Sequence, residues 1–152
     1  MKPGRIEWPG RTGRTRSRGE GLVHMAESGT AAVWMRTAAG LEVLTGLGLV
    51  VAPSLLTRLL FGSDLNGAGE ATGRIAGLVM VCLAVGCWPR DAETGQSRAL
   101  IPLATLNWLA AAFLGVSGAV GANVGLLLWP AAALHLILAV LLTRALMESR
   151  RG

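Results

Sequence analysis

From Ala99 to Thr143 the chain carries no Asp, Glu, Lys or Arg. A water-soluble fold of that length needs charged faces on its helices, whereas two membrane-spanning helices of about 20 residues joined by a tight turn need none. Two further apolar stretches precede it, beginning at about Ala38 and Thr72, and the connections leave no room for a sizeable water-soluble domain. In a chain of 152 residues that is 52% hydrophobic, four spans are what the length accommodates. The expected fold is therefore all-α, a four-transmembrane-helix bundle over residues 34–147, with spans at about 38–56, 72–88, 99–120 and 124–143.

Residues 1–33 are rich in Gly, Arg, Ser and Thr and show no hydrophobic period, so they read as a disordered basic tail. Met25, followed by Ala26-Glu27-Ser28, is an alternative translation start, and residues 148–152 form a short charged C-terminal tail. The net charge of +5 comes from thirteen Arg and one Lys gathered mainly at the two ends. That placement suits anionic membrane lipids better than a nucleic-acid groove, so lipid is the expected partner and no nucleic acid is expected. Arg dominance over Lys fits a GC-rich bacterial coding sequence.

The first apolar stretch is longer than the 7 to 15 residues of a signal-peptide core, contains Glu42 and lacks a small-residue cleavage site, so it reads as a retained helix. Pro53 removes a backbone donor near its far end, and Ser54 to Phe61 continues as a tilted or interfacial turn that stops at Gly62. In the third span Pro102 is expected in the first turn, where a missing amide hydrogen costs little. Arg36, Arg90, Arg98, Arg144, Arg150 and Arg151 fall on one side of the membrane against Arg58 and Arg74 on the other. By the positive-inside rule both termini are cytoplasmic, in the plasma membrane of a bacterium, its inner membrane.

The second span carries Arg74 close to its start, leaving an uncharged run of roughly 21 Å, short of a hydrocarbon core of about 30 Å. Arg74 must snorkel or pair, with Glu70 one turn earlier and Asp64 in the preceding loop as the carboxylates within reach. Gly69, Gly73 and Gly77 repeat at four-residue spacing, which lines one helix face with glycine and lets another helix backbone approach. That face serves internal packing or association with a membrane-protein partner or a second copy. Cys82 and Cys87 are five residues apart, roughly 140° around a helix, so they do not bridge each other, and the spacing is not that of a Cys-x-x-Cys redox pair.

Polar groups inside the spans are the only residues that point to chemistry. Counted from Arg36, Arg98 and Arg144, Glu42, Asn107 and His135 lie about 9, 13 and 13 Å from the cytoplasmic edge, and Cys82 lies at about 12 Å counted from Arg90. Four spans thus each contribute one polar or polarisable group to one layer. A carboxylate in hydrocarbon is costly, so Glu42 should be protonated or bonded to His135 or Asn107. Two readings use these residues: interhelical hydrogen bonding that holds the bundle together, or a proton or ligand site open toward the cytoplasm. Too few imidazoles are present for a metal centre, no motif calls for a cofactor, and no Ser-His-Asp set or phosphate loop is present.

The expected function is that of an integral membrane protein acting as a non-enzymatic accessory or structural component. One alternative is a small transporter or ligand-binding protein with a proton-responsive Glu42, Asn107 and His135 cluster. Another is a lipid- or quinone-linked membrane enzyme using Cys82 and His135. The order Glu42-Val43-Leu44-Thr45-Gly46, Pro53, Leu60-Phe61-Gly62, Gly67-x-Gly69, Arg74-x-x-Gly77, Cys87-Trp88-Pro89, Asn107, Leu128-Trp129-Pro130 and Leu134-His135 resembles a group of small four-helix bacterial inner-membrane proteins sharing a domain of unknown function. The resemblance covers about Met35 to Met147. It implies the four-span architecture, sets Glu42, Arg74, Asn107 and His135 at motif positions, and brings no activity with it.

Overall fold

A computed structural model of the chain describes residues 18–89, 93–121 and 124–150. Among these the chain is helical throughout its ordered elements: α1 (Arg18–Val51), α2 (Pro53–Phe61), α3 (Gly67–Gly86), α4 (Glu93–Val120) and α5 (Leu128–Ser149). Four of them contain a stretch long and apolar enough to cross a membrane, at Gly29–Val51, Gly67–Gly86, Arg98–Val120 and Leu128–Ser149. The protein is an all-α integral membrane protein with a four-span bundle.

The helix ends follow local chemistry and move several expected boundaries. α1 already begins at Arg18 and passes through Met25, so helix occupies the second half of the stretch read as a disordered tail. Residues 1–17 of that tail lie outside the described residues, as do Arg90, Arg151 and the Ala122-Asn123 turn. Ala52, at φ −142° and ψ 65°, breaks the first helix, and Pro53 restarts it as α2, its missing amide falling where a helix start needs no donor. Gly62 ends α2 in the left-handed conformation (φ 67°), its amide donating to the Arg58 carbonyl at 2.9 Å.

α3 starts at Gly67, five residues ahead of the expected Thr72, because the Asn66 side chain accepts a hydrogen bond from the Gly69 amide at 2.9 Å and caps it. Its 20 residues rise roughly 30 Å, but Glu70 and Arg74 lie within that length, so the uncharged run after Arg74 stays shorter than the hydrocarbon core. α4 starts at Glu93, so Pro102 lies in the helix interior and leaves the Arg98 carbonyl without its usual donor, at an exposed residue near the helix start. α5 begins at Leu128 and continues to Ser149, later at both ends than the expected 124–143.

Two antiparallel pairs make the bundle. In one, α1 and α3 approach so closely that a Cβ on Gly77 would collide with the Gly46 carbonyl, and one on Gly46 would sit 2.7 Å from the Gly77 carbonyl and 2.9 Å from Val81. Ala39 and Ala84 extend this seam of small residues and are wholly buried. In the other pair, α4 meets α5, and a Cβ on Gly118 would lie 2.6 Å from Leu128. The Trp108 indole donates to Thr143 Oγ1 at 3.1 Å across the same interface, and that hydroxyl donates to the Ala139 carbonyl at 2.7 Å. α1 touches both α4 and α5 and joins the pairs. The junction is an apolar cluster of Met35 and Ala38 from α1, Cys87 from the end of α3, Leu100, Leu103 and Ala104 from α4, and Leu138, Leu142 and Ala145 from α5.

At the opposite end, α2 is clamped across the bundle. Its last carbonyls, at Leu59 and Leu60, would be orphaned by the helix end, and they accept from the amides of Leu127 (2.9 Å) and Gly125 (3.0 Å) in the segment leading into α5. Gly125 is needed there, since any side chain would run into the Leu59 backbone. Phe61 packs edge to face on Phe113 of α4, with centroids 6.0 Å apart. Outward-facing Leu44, Leu47, Ile75, Leu78, Val79, Leu109, Phe113, Val116, Leu136 and Ile137 give the bundle the apolar exterior that a lipid environment requires.

Candidate functional site: a buried polar layer

Glu42 and Asn107 are the two wholly buried polar side chains among the described residues. Their place follows from helix periodicity. Glu42 is one turn beyond Ala38 on α1, Asn107 one turn beyond Leu103 on α4, and His135 one turn before Leu138 on α5. Ala38, Leu103 and Leu138 belong to one packed cluster. Since α5 runs opposite to α1 and α4, one turn forward on the first two helices and one turn back on the third lead to the same level. On α3, the antiparallel register set by Gly46 and Gly77 places Glu42 near the level of Val81, and the neighbouring Cys82 is exposed.

Two of the three groups bond each other. The Asn107 side-chain amide donates through Nδ2 to the Leu103 carbonyl at 2.9 Å, and its Oδ1 lies 2.9 Å from Nδ1 of the half-buried His135. Glu42 differs: both carboxyl oxygens are buried and neither has a hydrogen-bond partner. The expectation that it would bond His135 or Asn107 is not met in this arrangement. Such an orphaned acid is unusual, since buried polar side chains are overwhelmingly paired.

Cys82, counted at the same depth, points away from the Gly77 and Ala84 face and is exposed on the outer side of α3, while Cys87 is buried in the apolar cluster. α3 makes no extended interface with α5, so Cys82 and His135 do not share a cleft. Depth along a helix was countable from sequence, whereas rotation about its axis was not.

The charged groups expected to serve Arg74 are divided differently. Asp64 takes two hydrogen bonds from the Arg58 guanidinium, at 2.8 and 2.6 Å, and these hold its carboxyl below the usual carboxylate range. Glu70 accepts from Ser54 at 2.8 Å, tying α3 to α2, and lies 3.9 Å from Arg74. The sequence reading used Arg58 for orientation alone and did not pair it with Asp64. The signal was there in outline, because the left-handed Gly62 folds the chain back and brings Asp64 against the last turn of α2.

Gly73 and Gly77 face Pro53 and Gly46 of the same chain, and Gly69 faces Leu65 and Asn66 at its own helix start. Among the described residues no three His, Cys, Asp or Glu side chains are grouped to hold a metal ion. In comparisons with known proteins the chain matches no family model, no curated protein and no solved structure.

Proposed function

We propose that this is a small proton-responsive membrane protein, a transporter or ligand-binding protein of the bacterial inner membrane with both termini in the cytoplasm. Its working group is Glu42, and Asn107 and His135 are the neighbouring polar pair. The observation that carries this reading is the complete burial of a carboxyl whose two oxygens have no partner. Interhelical hydrogen bonding explains Asn107 and His135, which bond each other, but a group that holds a bundle together needs something to hold. An unpaired carboxyl instead lowers stability, and intramembrane acids that do so mark ion and proton pathways. No part of Glu42 is open to water, so a proton is the one ligand that binds there without the helices first separating. Ionisation of the acid would make its site untenable without a cation or water, which gives loss of the proton a means of driving the helices apart.

The accessory reading depended on a glycine-lined face free to dock a partner. Gly73 and Gly77 are occupied by the chain's own Pro53 and Gly46, so that surface is already used.

The test is proton uptake by the full chain reconstituted in liposomes enclosing a pH-sensitive dye. After an external acid jump, wild type is expected to speed internal acidification over empty liposomes, and Glu42→Gln to abolish that gain while retaining the helical circular dichroism of wild type. Equal rates for wild type and Glu42→Gln would overturn the proposal.

A further inference from the structure

We propose that Arg36, Arg98 and Arg144 are docking points for the phosphates of anionic phospholipids, all at one end of the bundle. The proposal does not depend on the proton site. The three side chains come from three different spans, and the packed cluster sets their level. Met35 is its first buried residue on α1, Leu100 the first on α4 and Ala145 the last on α5. Arg36 and Arg144 are each one residue from those positions, and Arg98 is two residues away. At 1.5 Å per residue, each arginine lies within about 3 Å of the level at which the cluster closes.

The two ends of the bundle treat their arginines differently. At the α2 end Arg58 donates to both oxygens of Asp64, and Arg74 lies 3.9 Å from Glu70. Those cations find their counter-charge within the chain. Arg36, Arg98 and Arg144 are exposed, and among the described residues no carboxylate lies within ion-pair distance of any of them. Glu148, exposed one turn beyond Arg144 on α5, is not paired with it, and Arg150 adds a further exposed positive charge. A guanidinium carries five N–H donors and no acceptor, and the oxygens of a phosphate diester match that fork while supplying the missing charge.

Which anion meets them is decided by how far the apolar exterior extends. Val33 and Met147 are exposed and lie three residues further out than Arg36 and Arg144 on the same helices. The apolar surface therefore runs about 4.5 Å past these two arginines. Trp88, exposed at the end of α3, and Trp34, packed against the cluster from α1, bring two indoles to the same end, and tryptophan collects at the headgroup level. Cations at that depth are approached from the side, through the lipid, and their aliphatic stems let them reach the headgroups. The anions found there are lipid phosphates. A choline headgroup neutralises its own phosphate, whereas phosphatidylglycerol leaves the charge to be met by the protein.

Electron spin resonance of the full chain in phosphatidylcholine bilayers tests this, using traces of spin-labelled phosphatidylglycerol or phosphatidylcholine with identical acyl chains. Lipid held against the protein gives an immobilised signal, and its fraction reports the relative association of the two lipids. Wild type is expected to prefer phosphatidylglycerol, by on the order of fivefold at each arginine site, and about 1 M salt should weaken the preference. Arg36→Gln, Arg98→Gln and Arg144→Gln should each lower it, and the triple variant should bring the two lipids nearly level while keeping the helical circular dichroism of wild type. Arg58→Gln and Arg74→Gln remove the same charge at the other end and should leave the preference at its wild-type value. Equal association of both lipids with wild type overturns the proposal without any substitution. A preference that survives in the triple variant overturns it too, by assigning the lipid to charges elsewhere in the chain. So does an equal fall with Arg58→Gln or Arg74→Gln, which would make the effect one of net charge alone.

Discussion

At Glu42, stability and function should pull in opposite directions. A buried group without a hydrogen-bond partner costs about 1–3 kcal/mol in lost hydration, and methionine fills a similar volume with no polar atom to desolvate. Glu42→Met is therefore expected to raise the free energy of unfolding in detergent by ~1–3 kcal/mol while eliminating proton uptake. Denaturant titration of the purified protein measures the first effect, and a loss of stability would mean that Glu42 has a partner holding it in place. The pair of Asn107 and His135 was legible in the sequence, because both lie nine residues from an arginine on helices joined by a short turn. The isolation of Glu42 was not legible. It depends on how α1 is rotated against α4 and α5, and a count of residues fixes depth alone. The same blindness to rotation put Cys82 in a layer from which its exposed side chain is absent.

Among the elements, the α1 and α3 pair depends on the absence of side chains at Gly46 and Gly77. A methyl group at either meets backbone of the facing helix rather than a side chain that can swing away, and overpacking of that kind typically costs about 1–3 kcal/mol. Gly46→Ala and Gly77→Ala should destabilise by that amount. Gly115, inside α4, has nothing within 4 Å of its notional Cβ, so Gly115→Ala should stabilise by about 0.5–1 kcal/mol through helix propensity alone. Denaturation midpoints of the three variants in one detergent check the contrast, and a uniform response would mean that the glycine seam is not the contact that holds the pair. The glycine spacing on α3 could be read from sequence, but its counterpart Gly46 could not, since it belongs to no repeat. Helix limits were harder still. The late start of α5 has its cause in α2, whose terminal carbonyls take the amides of Gly125 and Leu127, and no local pattern in residues 121–128 encodes a partner some sixty positions away.

For the molecule as a whole, the division into two helix pairs implies that the connection between α3 and α4 is not what keeps them together. Each pair has its own long interface, and the pairs meet through α1, the cluster around Met35, Ala38, Leu103 and Leu142, and the clamp on α2. Without a hydrophobic driving force between helices in lipid, association rests on close packing, so the fit of small residues such as Ala38 decides it. Two co-expressed fragments, residues 1–90 and 91–152, are therefore expected to assemble in the membrane and copurify. Ala38 is completely buried in the shared cluster, whereas Leu44 is 70% exposed on the lipid side of the same helix. Ala38→Trp in the first fragment should abolish copurification and Leu44→Trp should leave it intact. Loss with both, or with neither, would place the contact between the pairs elsewhere than on the face of α1 that carries Met35, Ala38 and Glu42. Because Glu42 lies on that face, the same experiment bears on the proton site: an interface that small can be separated by the charge state of one buried acid, whereas the long seams within each pair cannot.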